Sequence, residues 1–428
     1  MFAVLWLAIK KQGKATVLAP LPPGPRGLPI VGYLPFVGTK LHTKFEQLCG
    51  IYGPIYKVWL ANKLCIVISS PSLAKEVVCD HDAIFSNRHA NIVAHTVTFG
   101  ASNIAFSPNE VRNTIRHLYD KNSTPIDLGD LAFLTVMNAI MNMLWGGTLC
   151  GEEGAKFGVE FKHIFAESVM ILGKPNVSDV FPALASFDLQ WIKRKAKRIF
   201  ETIDGVLEYA IEKKIKILLE QREEDDGAPS MNRTQIKAVV FHPEIMRKVT
   251  GELIEIVGLD NLVEESHLPK LHYLESVIKE TFRLHPPGPF LLLRTPSEST
   301  IIGGYHVPKG SSIFLHTRAI QRDPKYWDNP LEFKPERFLN NASGRFHYSG
   351  NNFKSFPFEP GRRICAGLAL GERTLKYILA SFLHSYEWKL PQALEIEFSN
   401  TFGVITKKKN PTIAIPTRRL SKYELYTK

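Results

Sequence analysis

A single cysteine, Cys365, stands in the stretch FPFEPGRRICAGLALGERTL (Phe356–Leu375), with glycine and arginine before it and helical periodicity after it. The segment LALGERTLKYILASFLHSYEW predicts a helix, which puts the thiol at or just before a helix N-terminus. Free N–H groups and the positive end of the helix dipole favour an anion there, and a thiolate is the anion at hand. A thiolate is a strong axial ligand for haem iron and pushes electron density onto it. The neighbours suit that chemistry. Gly361 and Gly367 allow a tight turn beneath a flat ring, Arg363 is spaced to meet a haem propionate, and Phe358 is spaced to pack on the sulfur side. Two plainer readings compete, a buried structural cysteine and a nucleophilic one, and the second lacks an identifiable nearby His with an orienting Asn or Asp. The cysteines Cys49, Cys65, Cys79, Cys150 and Cys365 are odd in number and form no CxxC pair. That argues against a disulfide framework or a zinc ribbon, and for a reducing compartment.

The elements that must hold this thiol are predicted mainly α with a smaller β part. A chain of 428 residues, 44% apolar and 22% charged, is globular and long enough for one large domain or two. Its first nine residues are apolar, where a membrane-spanning helix needs roughly 20. Residues 1–18 therefore read as a short interfacial anchor or the cut-down end of a longer one, and Lys10, Lys11 and Lys14 would keep the rest cytoplasmic if the segment inserts. Residues 19–32, APLPPGPRGLPIVG, read as a stiff extended hinge, and residues 33–428 as the main domain. GPIYKVWLANKLCIVISSP predicts a β-hairpin, and PSLAKEVVCDHDAIF a helix opened by Pro71. DLGDLAFLTVMNAIMNMLW is apolar enough for a buried helix. HPEIMRKVTGELIEIV predicts a helix opened by Pro243, with Ile245, Val249, Leu253 and Ile256 on one apolar face. After Pro286 short strands and turns take over. The net charge of +11 suits an anionic membrane surface, an acidic partner or nucleic acid. The densest basic run, WIKRKAKRIF (Trp191–Phe200), reads as the solvated face of an amphipathic helix, and no nucleic-acid-binding module is present.

Phe358, Gly361, Arg363, Cys365 and Gly367 stand in the order F-x-x-G-x-R-x-C-x-G, which resembles the signature of the cytochrome P-450 haem-thiolate proteins. KETFRLHPPGP supplies Glu280 and Arg283 as E-x-x-R, and FKPERF supplies Arg337. The resemblance runs from Leu21 onward. It implies the cytochrome P-450 fold, haem (iron protoporphyrin IX) on Cys365, and a buried Glu280–Arg283–Arg337 cluster supporting it. It also implies Arg294 as a further propionate contact. The implied partners are NADPH–cytochrome P-450 reductase, dioxygen, a small lipophilic substrate and the cytoplasmic face of the endoplasmic reticulum membrane, with no nucleic acid. FSNR and IQRDPKYWDNPLEFKPERF resemble plant members that oxidise terpenoids and phenolics.

Two of the family's segments are missing. Its central distal helix carries A/G-G-x-D/E-T-T, an acid–alcohol pair that relays protons to dioxygen. It should lie between RTQIKA and HPEIMRK, where only Val239, Val240 and Phe241 stand. Its W-x-x-x-R helix should follow NIAFSP (Asn103–Pro108), yet no tryptophan here has Arg four residues on. The expectation is a domain shortened internally near 108–110 and 238–242, with no identifiable catalytic acid–alcohol pair. The implied function is a haem-thiolate monooxygenase inserting one oxygen atom into a small lipophilic plant metabolite, this form being impaired or inactive. The alternatives are a non-catalytic haem-binding relative or truncated product, and a membrane-surface interaction protein with a merely structural cysteine.

Overall fold

The computed structural model describes residues 19–38, 41–88, 188–205, 242–339, 353–365, 367–389 and 413–427, with shorter pieces within 114–136, 163–171, 346–348 and 400–408. Residues 1–18, read above as an anchor, residues 108–110, where a shortening is expected, Val239–Phe241, Cys150 and most of the apolar stretch after Asp127 lie outside these. Among the described residues no helix is long and apolar enough to cross a membrane.

The fold is mainly helical with a smaller sheet part, as predicted. The largest sheet has five strands: β1 (Ile55–Leu60), β2 (Lys63–Ile68), β3 (Asn87–Arg88), β4 (Arg294–Thr295) and β5 (Ser312–Leu315), in the order β1-β2-β5-β4-β3. The β-branched and aromatic residues of β1 and β2 form the expected antiparallel hairpin, with Tyr56 opposite Val67 and Val58 opposite Cys65. β2 then pairs in parallel with β5, and β4 joins β5 to β3 through Arg294, which faces Ile313 on one side and Arg88 on the other. The proline-rich segment lies along this sheet: the Lys57 N–H donates to the Pro23 carbonyl at 2.8 Å.

Helices α1 (Leu41–Tyr52), α2 (Pro243–Val257), α3 (His272–Leu284) and α4 (Leu368–Ser385) carry most of the core. Pro243 occupies the first turn of α2, where its missing N–H leaves no intrahelical bond unmade. Ile245, Val249, Leu253 and Val257 form the buried row of α2. The sequence periodicity places Ile256 in that row; the i, i+4 spacing from Leu253 runs to Val257 instead, and Ile256 packs at the edge. The row meets Leu274, Val277 and Phe282 of α3 and Leu379, Phe382 and Leu383 of α4 in one core cluster. Pro71 opens a helix as expected, over Pro71–Lys75, with the Ser70 hydroxyl accepting from the Leu73 N–H. The chain then widens into a π turn over Glu76–Asp80. In the basic run, Ile192, Ala196 and Ile199 are buried while Lys193, Arg194, Lys195, Lys197 and Arg198 face solvent.

Helix α3 is buried on every side from Ser276 to Leu284, although it contains Lys279, Glu280 and Arg283. Charges in such a place must be paired. Arg283 grips Glu280 with two parallel bonds, Nε to Oε2 at 2.6 Å and Nη2 to Oε1 at 2.8 Å, and both side chains have no exposed surface. Its other donor hydrogens go to the carbonyls of Gln321, Pro330 and Glu332. Glu280 Oε1 also accepts from the Lys334 N–H at 2.9 Å and from Arg337 Nε at 3.4 Å. The Glu280–Arg283–Arg337 cluster implied by the motif order is therefore assembled. Next to it, Lys279 and Lys376 both donate to Glu275, at 2.6 and 2.8 Å, bridging α3 to α4. Burial alone would raise the Glu275 carboxyl, but the two ammonium groups outweigh it and hold it at about 2.

Two expectations follow. Glu280→Ala should cost about 3–5 kcal/mol in urea unfolding, because it strands the Arg283 guanidinium in the core. Arg283→Ala should cost about as much, and the double variant should lose far less than the sum. Singles within about 1 kcal/mol of the parent protein would refute the pairing as a structural hub. The second expectation concerns acid. Burial, then His42 and Arg318, push His316 down to about 3. Burial pushes His384 down to about 4, against the hydrogen bond between its Nε2 and the Gly258 carbonyl. Both rings stay neutral when folded but take a proton near pH 6.5 when unfolded. Stability should hold above about pH 6.5 and fall between there and about pH 4, by about 1.4 kcal/mol per pH unit for each ring. Glu275 adds nothing to that loss, since its bridge weakens only below about pH 4.5. Urea midpoints measured from pH 7.5 to 4.5 check this, and His316→Asn with His384→Asn should flatten the profile.

Candidate functional site

The loop that carries Cys365 begins where the sheet and α3 meet. The Phe356 N–H donates to Gln321 Oε1 at 3.1 Å, and the same Gln321 side chain donates through Nε2 to the carbonyls of Phe282 and Arg283, each at 3.0 Å. Gln321 thus clips the loop entrance to the end of the helix that holds Glu280 and Arg283. The Phe358 ring packs edge-on against Phe282, with centroids 4.8 Å apart, and against Tyr348 at 5.2 Å. The backbone then turns sharply. Glu359 and Gly361 both take positive φ, 58° and 74°, and Gly361–Arg363 form one 3-10 turn.

Gly361 has a second constraint besides its φ. A Cβ on it would lie 2.3 Å from the carbonyl oxygen of Val78, in the π turn. Only glycine lets the loop approach that wall. From this turn the Cys365 N–H donates back to the Phe358 carbonyl at 2.9 Å, and the Leu368 N–H donates to the Cys365 carbonyl at 3.1 Å. α4 begins at Leu368, so Cys365 lies three residues before the helix, as the sequence indicates. Its thiol is exposed, unlike that of Cys65, which is buried and pushed up to about 12 by burial. Gly367 has an ordinary backbone, φ −84° and ψ 8°, and needs no glycine for its turn. A Cβ there would sit 4.0 Å from the Cys365 sulfur, so its bare Cα leaves that flank of the sulfur open.

The arginines separate. Arg363 is exposed at the end of the turn, and Arg362 beside it pairs with Asp82 at 2.6 Å. Arg294 is buried in the sheet. Its Nη2 donates to Glu359 Oε2 at 2.7 Å and its Nη1 to the Phe85 carbonyl at 3.4 Å, while Glu359 Oε1 accepts from the Leu292 N–H at 3.4 Å. Arg294 therefore meets a carboxylate, though one supplied by the loop itself. Phe358 reaches the thiol's residue through its carbonyl, while its ring points into the core beside Tyr348.

Gln321, Glu359 and the Val78 carbonyl were not legible as site components. The first two read as ordinary polar residues of a turn, and a carbonyl carries no sequence signal. The one usable hint was the acidic Glu359 wedged between an aromatic and Pro-Gly in a turn.

The donor set fits the thiolate side of a haem. It has an exposed sulfur three residues before a helix, a bare Cα at Gly367 beside it, a turn too tight for any side chain at Gly361, and the exposed Arg363 two residues from the thiol.

The cytochrome P450 family model matches the chain in three segments, residues 22–119, 108–238 and 236–415. A flavonoid 3'-monooxygenase of Crocosmia x crocosmiiflora is 33% identical over 94% of this chain and 93% of its own length. A flavonoid 3'-monooxygenase of Arabidopsis thaliana is 32% identical over 94% and 92%, and a ferruginol synthase of Isodon rubescens 31% over 93% and 94%. The alignment to the Crocosmia protein runs over 474 positions and takes in 94% of the 428 residues of this chain, about 402; 474 less 402 leaves about 72 positions of that relative with no residue opposite them. A Cys365 loop clipped to a buried Glu280–Arg283–Arg337 cluster, together with a family match spanning most of its length, makes this chain a member of the cytochrome P450 family, haem-dependent oxidoreductases, and a P450 of the plant type.

Proposed function

We propose that Cys365 would hold the iron of a haem in a monooxygenase of the plant type. Its substrate is a small lipophilic phenolic or terpenoid metabolite, and its electrons come from NADPH through cytochrome P-450 reductase at the cytoplasmic face of the endoplasmic reticulum membrane. The observation that carries the reading is the exposed Cys365 thiol, held three residues before α4 by a loop locked at Gly361. Exposure counts against a buried structural cysteine. The names of the relatives, flavonoid hydroxylases and ferruginol synthases, support the substrate class. A haem held by this thiolate would supply the oxygen chemistry. The chain's own part on this side is positional. The Phe358 carbonyl and Gly361 fix where the sulfur stands, three residues before the positive end of α4, and the exposed Arg363 would hold a propionate.

The same proposal holds that this form is impaired in oxygen activation. Proton delivery needs a positioned acid within hydrogen-bond reach. The acid–alcohol pair that the family uses has no counterpart between Ala238 and His242. Two observations support internal shortening. The family match breaks into segments that meet at 108–119 and at 236–238, next to the two places where the sequence lacks family segments. The alignment to the Crocosmia relative is also longer than the chain. Without the helix that should follow Ala238, a lipophilic substrate is poorly confined, and the gain from holding reactants together is lost.

The ligand is tested by spectroscopy. Wild-type protein loaded with haem, reduced and treated with carbon monoxide should show the thiolate-type Soret shift, and Cys365→Ala should not. Equal haem binding in both, with no such shift in either, would remove Cys365 as the ligand. Activity is tested by reconstitution with a plant reductase and NADPH over a flavonoid and diterpenoid panel. The 428-residue chain should consume NADPH with little hydroxylated product, and a version carrying a P450 central helix between Ala238 and His242 should couple the two. Well-coupled hydroxylation by the unmodified chain would overturn the impairment.

A further inference from the structure

The Arg294 guanidinium lies almost wholly inside the protein, and its Nη2 is 2.7 Å from Glu359 Oε2. The Leu292 N–H, 3.4 Å from the other oxygen of the same carboxylate, completes a small carboxylate-holding pocket at the edge of β4. Glu359 reaches it from the loop that carries Cys365, six residues before the cysteine, and does so from a left-handed backbone, φ 58°. A non-glycine residue is strained in that conformation, and it is kept here because its side chain is anchored. Two residues on, the loop passes over Val78 at Gly361, so the segment that supplies the carboxylate is the one whose path sets the exposed Cys365 thiol.

We infer that Arg294 and the Leu292 N–H form a carboxylate site for which Glu359 is an internal occupant, competing with the propionate of an incoming haem. The inference rests on the haem reading above and deepens it. A haem carboxylate arriving at Arg294 must displace a partner that is already bound, desolvated and covalently part of the loop. The apparent affinity for haem is then reduced by the fraction of molecules in which Glu359 has let go. Glu359 is in this sense a positioning residue: it holds the Cys365 loop against the sheet before haem enters, and acts on haem only through Arg294.

A merely structural pair predicts that its loss weakens everything together. Competition predicts a split. Glu359→Gly frees the pocket and relieves the left-handed backbone, and Glu359→Gln keeps the side-chain volume while removing the charge. Without haem, both variants should melt at lower temperature than the parent, and sodium acetate, offered as a free carboxylate, should restore the melting temperature of Glu359→Gly while leaving the parent unchanged against a sodium chloride control. In titrations of apo-protein with haem followed at the Soret band, both variants should bind about tenfold more tightly than the parent or better. Adding Arg294→Leu to Glu359→Gly should abolish both the acetate rescue and the tightening. Failure of acetate to rescue, or haem binding that is unchanged or weaker in both variants, overturns the inference. Acetate rescue with no haem bound by any of the proteins keeps the carboxylate site and sinks the haem reading instead, so the two failures are distinguishable.

Discussion

A carboxylate and a guanidinium with no exposed surface, Glu280 and Arg283, set the terms for the rest of this molecule. Placing either charge alone in that position would cost several kcal/mol, so neither is tolerated without the other. The pair also demands that its remaining hydrogen-bonding capacity be met, and it is met by backbone: the carbonyls of Gln321, Pro330 and Glu332 and the Lys334 N–H. Four points on the irregular stretch 321–334 are thereby pinned to one helix. A segment with little regular structure of its own acquires a fixed path from two side chains.

That path leads to the thiol. Gln321 accepts one bond from Arg283, returns two to the end of α3, and takes up the Phe356 N–H. From Phe356 the loop runs through Phe358, packed on Phe282 of the same helix, to Cys365. Each link in this chain is a short-range contact with a defined donor and acceptor or a defined ring geometry. The position of the sulfur is therefore inherited from α3, although no side chain of α3 need touch it.

The parts legible from the residues alone were those whose pattern states a geometry: the helix after Cys365 and the Val/Ile/Tyr-rich hairpin. Cys365 itself left three readings open, and E-x-x-R gained its meaning only through the resemblance, in order with FKPERF and the Cys365 motif. The buried row of α2 was legible except at its end, where Ile256 and Val257 are both apolar and only the packing against α3 and α4 chooses Val257. The helix opened by Pro71 was legible at its start, but nothing in EVVCD announces the π turn that offers the Val78 carbonyl to Gly361. The Glu359–Arg294 pair was hidden because its members are 65 residues apart: Glu359 reads alone as a polar turn residue, and the resemblance assigns Arg294 to a propionate rather than to a carboxylate of the chain. Long-range pairing of polar groups leaves no periodic trace, whereas burial of apolar faces does.

The close approach of Gly361 to Val78 has a consequence for the order in which the chain assembles. The loop is walled by the π turn from the first fifth of the sequence, and Arg362 reaches Asp82 across 280 residues. Contacts of such separation close late, since chain entropy is lost before any contact energy is gained. The N-terminal wall leaves the ribosome long before the loop exists, and the Gly361 contact must wait until nearly the whole polypeptide has been made. The thiol's position is thus fixed only once chain from both ends of the sequence has come together, so a polypeptide cut short before the loop carries a wall with nothing packed on it.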